Sequence, residues 1–218
     1  PFLHFILTAT IPIPAKLIFM RRTAITLLTT LAVLLGSADV SWSADFNKGY
    51  DAYKKGDYKT ALREFKPLAE QGDALAQNYL GYMYEKGQGV VKDDKTAVKW
   101  YTLAAKQGHA DAQNNLGEMF YNGLGVVQDF KTAVKWLTLS AEQGYAGAQN
   151  NLGGNYYNGQ GVPENMVYAY MWVNIAVSSG DKNAAKNRDM VAKKMTPAEI
   201  SAAQKLTREC VRKQYKGC

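Results

Sequence analysis

Histidine and cysteine are scarce in this 218-residue chain, with two of each. Both cysteines, Cys210 and Cys218, stand at the C-terminal end, and His109 is the only histidine after His4. A zinc site needs three or four His, Cys or carboxylate ligands, and a Ser/His/Asp triad needs a histidine beside its nucleophile, so neither has much to be built from. His109, at the start of a helical segment, reads as a linker residue. No Gly-x-Gly stretch runs on into Gly-Lys-Ser/Thr, which removes a phosphate-cradling loop. No cofactor is expected.

Charge of one sign is also lacking over most of the chain. The net charge is +7, yet residues 45–180 hold 13 Lys/Arg against 14 Asp/Glu, and the excess falls in residues 181–218, with 10 against 4. Such a basic tail could meet phosphate groups of nucleic acid or lipid. It also fits the solvated face of a helix, which is the expectation, and no nucleic-acid partner is expected. Apolar residues at 47% and charged ones at 21% set the chain apart from disordered segments and membrane bundles.

No apolar run reaches the ~20 residues that cross a bilayer. Residue 1 is Pro, and Met20 makes a better translation start. Met20-Arg21-Arg22 is a basic segment, Ala24–Leu35 is apolar except for Thr, and small and polar residues lead to Ser43-Ala44. That order is the pattern of a secretory signal peptide. Residues 1–19 are therefore expected to be an upstream extension and 20–44 a signal peptide, with the mature protein periplasmic or secreted and without a membrane span. The other reading is an uncleaved anchor that uses both apolar runs.

What the chain has in plenty is repetition. Leu80-Gly81, Gly87-Gln88-Gly89-Val90 and Trp100 return 36 residues on as Leu116-Gly117, Gly123-Leu124-Gly125-Val126 and Trp136. They return again as Leu152-Gly153, Gly159-Gln160-Gly161-Val162 and Trp172. A fixed period of this size means stacked supersecondary units. Full units span 73–108, 109–144 and 145–180. In each, a first helix carries Ala76/Ala112/Ala148, the Leu-Gly pair and Tyr84/Phe120/Tyr156 on one arc, which must face a partner helix. A mid-helix Gly costs ~1 kcal/mol against Ala, so its threefold recurrence predicts close approach of two helices. A second helix carries Ala97/Ala133/Ala169 and the Trp, and each Trp is expected to fill the gap between hairpins. Residues 45–72 read as a shortened capping hairpin, with Phe46, Tyr50 and Tyr53 on one face. In residues 181–218, Asn183–Lys194 reads as a helix. Thr196-Pro197-Ala198-Glu199 then opens a last helix, reaching about Tyr215, with a capping box.

These residues resemble the Sel-one-like repeat family, a branch of the tetratricopeptide-like α/α solenoids, over about residues 45–180. The resemblance implies an all-α, right-handed superhelix of helical hairpins closed by C-terminal capping helices. Its usual work is scaffolding protein–protein contacts, and exported bacterial members are often adaptors. The third unit departs in having Pro163 after Val162, which a first helical turn tolerates. Some cysteine-rich exported relatives are linked with β-lactam binding, which makes Ser179-Gly180-Asp181-Lys182 worth weighing as a Ser-x-x-Lys nucleophile motif. Its companions Lys-Thr-Gly and Ser-Asp-Asn are missing, and no cysteines pair within the repeats. The enzyme reading through Ser179 and Lys182 is therefore the alternative, and a non-catalytic protein is expected.

In an exported chain Cys210 and Cys218 suggest a disulfide, worth about 2.5 kcal/mol by loop entropy; a metal or redox pair is the other possibility. Positions identical in all units are explained by packing. Those that vary on the opposite arc of the first helices are the candidates for a partner groove: Tyr79, Tyr82 and Lys86; Asn115, Glu118 and Asn122; Asn151, Gly154 and Asn158. Glu85, Tyr121 and Tyr157 stand at its edge. Tyr and Asn together offer rigid amphipathic area and side-chain amides. Plain solvent exposure is the competing reading, and Tyr79 and Tyr82 could instead pack on the N-terminal cap. The expected partner is a protein or peptide, and the expected state a monomer.

Overall fold

The computed structural model describes residues 44–218, so the expected extension and nearly all of the expected signal peptide lie outside the described residues. Ten α-helices and no strand are found among the described residues. They are α1 (Phe46–Lys54), α2 (Tyr58–Glu70), α3 (Ala74–Lys86), α4 (Asp94–Lys106), α5 (Ala110–Asn122), α6 (Phe130–Ala141), α7 (Ala146–Asn158), α8 (Met166–Ser178), α9 (Ala184–Ala192) and α10 (Pro197–Arg212). The first eight form four antiparallel hairpins, each packed on the next, which makes the all-α solenoid expected.

Local chemistry sets the helix ends. Asp93, Asp129 and Asn165 cap α4, α6 and α8 by accepting backbone N–H bonds, and Asp73 and His109 do so for α3 and α5. His109 is thus a helix cap, its Nδ1 accepting from Ala112 N–H at 3.3 Å. Gly87, Gly123 and Gly159 end α3, α5 and α7 in the left-handed region, with φ of 68°, 68° and 66°. Pro163 lies in the loop ahead of the cap Asn165 and outside the first helical turn.

The repeated residues make the joints. A Cβ on Gly81, Gly117 or Gly153 would stand 2.7, 2.8 or 2.6 Å from Tyr101, Leu137 or Val173 of the paired helix, so only glycine lets each hairpin close. The second glycine of each loop does the same between hairpins: a Cβ on Gly89, Gly125 or Gly161 would meet the backbone at Tyr58, Asp94 or Phe130 in the preceding unit. Each Trp packs between hairpins, but only Trp172 is buried, at 2% exposure, while Trp100 and Trp136 are half-buried.

That difference comes from the C-terminal helices. α9 packs on α8 where a fourth first helix would stand, with Ala184 buried in the register of Ala148. α10 packs on α8 too, placing Leu206 and Cys210 in one core with Trp172. Thr196 and Glu199 close the expected capping box. Cys210 and Cys218 are joined, with Cα atoms 5.5 Å apart. Helix α10 ends at Arg212, short of Tyr215, because the chain hooks back there: Gln214 and Tyr215 adopt φ of 52° and 67°. The hook seats Tyr215 against Gly144, and Gly217 N–H donates to Glu142 at 2.9 Å.

Candidate partner-binding groove

The first helices of the hairpins (α3, α5, α7) and α9 stand side by side, and two sets of side-chain amides hold them in the stack. In the first set Asn115, Asn151 and Asn187 donate through Nδ2 to Asn78, Asn114 and Asn150 of the preceding helix, at 3.1, 3.1 and 2.9 Å. The second set is buried. Gln77, Gln113 and Gln149 donate to Ala69, Ala105 and Ala141 carbonyls that end the preceding hairpin, at 3.0, 3.1 and 3.2 Å. Gln107 and Gln143 in turn donate to Gln77 and Gln113 Oε1, at 2.8 and 2.7 Å. In the third unit that donor position is Ser179, and the Oε1 of wholly buried Gln149 has no partner among the described residues.

Against this frame the expected groove residues separate. Tyr79 follows the other reading, packing on the N-terminal cap: its ring lies 5.1–5.8 Å from Phe46, Tyr50, Tyr53 and Phe65 and is partly buried against the core of the capping hairpin. The shortened first hairpin offers aromatics in place of a ladder asparagine, and burial pushes the Tyr79 phenol up to about 12. Tyr82 is half-buried, 6.4 Å from the Tyr53 ring, with Lys86 Nζ 5.3 Å over its face. Glu85 accepts from the buried Tyr101 hydroxyl at 2.7 Å and pairs with Lys86. Burial, then the neighbouring Glu85 charge, holds the Tyr101 phenol far above its ordinary range, and the bond to Glu85 raises Lys86.

Asn115 is taken up in the amide ladder, and the other expected residues gather at an open cleft over the third unit and the pocket beside it. Glu118, Tyr121, Asn122, Asn151 and Asn158 line a cavity of about 370 Å³ between α5, α7 and α9. Glu118 Oε1 accepts from Asn114 and Asn151 at 2.9 and 2.8 Å. Tyr121 donates to Gln160 at 2.6 Å, and Asn122 to the Glu118 carbonyl at 2.9 Å. A second pocket of about 280 Å³ adjoins it across Gly154, Asn158 and Asn187, with Tyr157 on its wall beside Val173, Met190 and Val191. Lys194 Nζ stands 4.2 Å over the Tyr157 ring, and its contact with that tyrosine raises the Lys194 ammonium. Asn155 on the cleft floor was not anticipated. Its place is that of Met83 and Met119, so the signal was a polar residue on an otherwise apolar arc.

The alternative nucleophile gains nothing from its surroundings. Ser179 closes α8 at the place of Gln107 and Gln143, Lys182 is exposed, and no hydrogen bond joins them among the described residues. No group of three or more His, Cys, Asp or Glu that could hold a metal is present among the described residues, and none of their helices is long and apolar enough to cross a membrane.

A stack of helical hairpins whose shared residues serve packing is the architecture of an α/α repeat scaffold. The Sel1 repeat pattern matches residues 74–109, 110–145 and 146–181. A Sel1 repeat protein from Oxalobacter formigenes is 30% identical, with a TM-score of 0.60 over 76% of this chain and 75% of that one. A protective antigen of uropathogenic Escherichia coli strains, with an SLR fold, is 29% identical over 72% of this chain and 42% of that one, at a TM-score of 0.47. A comparison with curated proteins finds no match. The chain belongs to the Sel1 repeat family, whose fold generally serves as a protein-interaction scaffold.

Proposed function

We propose that the protein is an exported adaptor that holds a peptide or protein partner on the concave side of its stack, across the row formed by α3, α5, α7 and α9. The observation that supports this most is the pair of adjoining cavities over the third unit, lined mainly by residues that differ from unit to unit. Shared residues are occupied in packing, so recognition falls to the others. Export rests on the charge and hydropathy order of residues 20–44.

Capture from an envelope extract tests the binding face. The wild-type chain should recover a partner that a Tyr82→Ala, Glu118→Ala double variant loses, and equal recovery by both would sink the assignment. Fusing residues 20–44 to an alkaline phosphatase reporter tests export. The fusion should be active outside the cytoplasm, and an inactive fusion that is stably made would refute it.

A further inference from the structure

We propose that the cleft over the third unit is a socket for an arginine side chain of the partner segment, with an apolar neighbour of that arginine seated in the adjoining pocket. This rests on the binding face proposed above and gives its partner a chemistry.

The floor of the cleft carries an acceptor with nothing to accept from. Asn155 is 2% exposed; its Nδ2 donates to the Asn151 carbonyl at 2.9 Å, and its Oδ1 has no partner among the described residues. An unpaired buried acceptor is a standing cost that a ligand N–H would relieve. The first two units avoid it by burying Met83 and Met119 in the same register.

The rim adds charge of one sign. Among the described residues Glu118 is the only charged one on the cleft lining. Its Oε1 is held by Asn114 and Asn151, which orients the carboxylate, while Oε2 accepts no hydrogen bond among the described residues. Asn122 gives its Nδ2 to the Glu118 carbonyl and so keeps its Oδ1 as a further acceptor on the same lining. Several acceptors around one carboxylate suit a planar cation with five N–H donors better than an ammonium, which offers three from a single point. Asn150 uses its Oδ1 for Asn187 and retains an amide N–H₂ for the carbonyl of a passing backbone. The cations nearby do not fill the cleft: Lys86 is paired with Glu85, Lys194 stands over Tyr157, and neither is on the lining.

Gly154 makes the site a double one. It takes the register of Tyr82 and Glu118, and a Cβ there would meet nothing within 4 Å. The floor therefore opens into the second pocket, whose Val173, Met190 and Val191 wall fits an aliphatic side chain.

A displayed peptide library selected on the full chain tests this directly. Enriched sequences should hold an arginine beside a Leu, Ile or Met. In a synthetic peptide of such a sequence, citrulline for arginine should weaken binding roughly ten- to hundredfold, because it keeps the shape and removes the charge-assisted bonds. Lysine should weaken it as well. Asn155→Met, which installs the residue of the other two units, should weaken binding without lowering the thermal midpoint. Gly154→Tyr should abolish it. Enriched peptides without arginine, or citrulline and lysine peptides that bind as well, overturn the arginine socket; if their binding is still lost in Gly154→Tyr, the concave-face reading stands. Peptides indifferent both to Gly154→Tyr and to the Tyr82→Ala, Glu118→Ala pair overturn both. A selection that enriches nothing overturns the arginine socket.

Discussion

The first and third full repeats share one frame and differ in what fills it. On its first helix the first repeat has Tyr82 and Met83 where the third has Gly154 and Asn155, and its Gln107 becomes Ser179. In the first repeat Tyr79 is covered by the aromatic cap, the Tyr101 hydroxyl is bonded to Glu85, and Gln77 has both its partners. Its unpartnered buried oxygens, on Gln88 and Asp94, lie in the loop and at the start of α4, off the first-helix row; Lys92 approaches the latter to 3.5 Å. In the third repeat the unpartnered oxygens, of Gln149 and Asn155, are on α7 itself, and cavities open beside it. One end of the stack is thus filled and satisfied on this face, and the other carries unmet hydrogen-bonding capacity.

The largest way to test that contrast is through the tryptophans. Trp172→Ala should cost about 3–5 kcal/mol, and Trp100→Ala distinctly less, because only Trp172 is closed over by α10. Urea unfolding followed by hydrogen exchange would measure this, since stacked repeats need not unfold as one unit. Equal losses would erase the role given to α10. Adjacent glycines should then move in opposite directions. Gly153→Ala drives a Cβ to 2.6 Å from Val173 and should cost about 1–3 kcal/mol. Gly154→Ala meets nothing and should gain roughly 0.5–1 kcal/mol in the same unfolding assay.

Smaller effects bear on single hydrogen bonds. Ser179→Gln should restore the missing amide pair of the third unit and stabilise it by about 1 kcal/mol. The gain should disappear in a Gln149→Met background, and a gain that persists there would point to another cause. The smallest effect is with pH. The Thr96 and Thr132 hydroxyls and amides hold the Asp93 and Asp129 carboxylates below their usual 3.8. Their capping is therefore complete above that value and fades as pH falls through the lower folded values. Asn165, the third unit's counterpart, does not titrate. Protection factors in α4 and α6 should drop below pH 4 relative to α8, and parallel loss in all three helices would contradict this.

The fold was legible because its signals are local and repeated. The period, the hairpin glycines, the Thr196–Glu199 box and the cysteine pair each depend on residues near in sequence or on one fixed register. Tyr79 stays open between groove and cap in the sequence for the converse reason. Its position reads as an exposed arc in every copy, and only the preceding hairpin decides what covers it. Treating identical positions as packing and variable ones as binding led to Glu118, Asn122 and Asn158. It passed over Asn155, which varies within the arc assigned to the core. The pairing of Asn78, Asn114 and Asn150 with the next helix was likewise hidden, since neither partner shows which of its neighbours it meets.

The amide ladders have a consequence for how such a chain can change length. Every Asn–Asn bond between neighbouring first helices spans 37 residues, and every buried Gln bond to the hairpin before it spans 8. A joint so built has no memory of its ordinal place, and α9 accepts it through Asn187 although no complete fourth repeat follows. Duplication or loss of the middle 36-residue segment would hand each joint a partner of the same grammar, so evolution can lengthen or trim the stack without inventing a new interface.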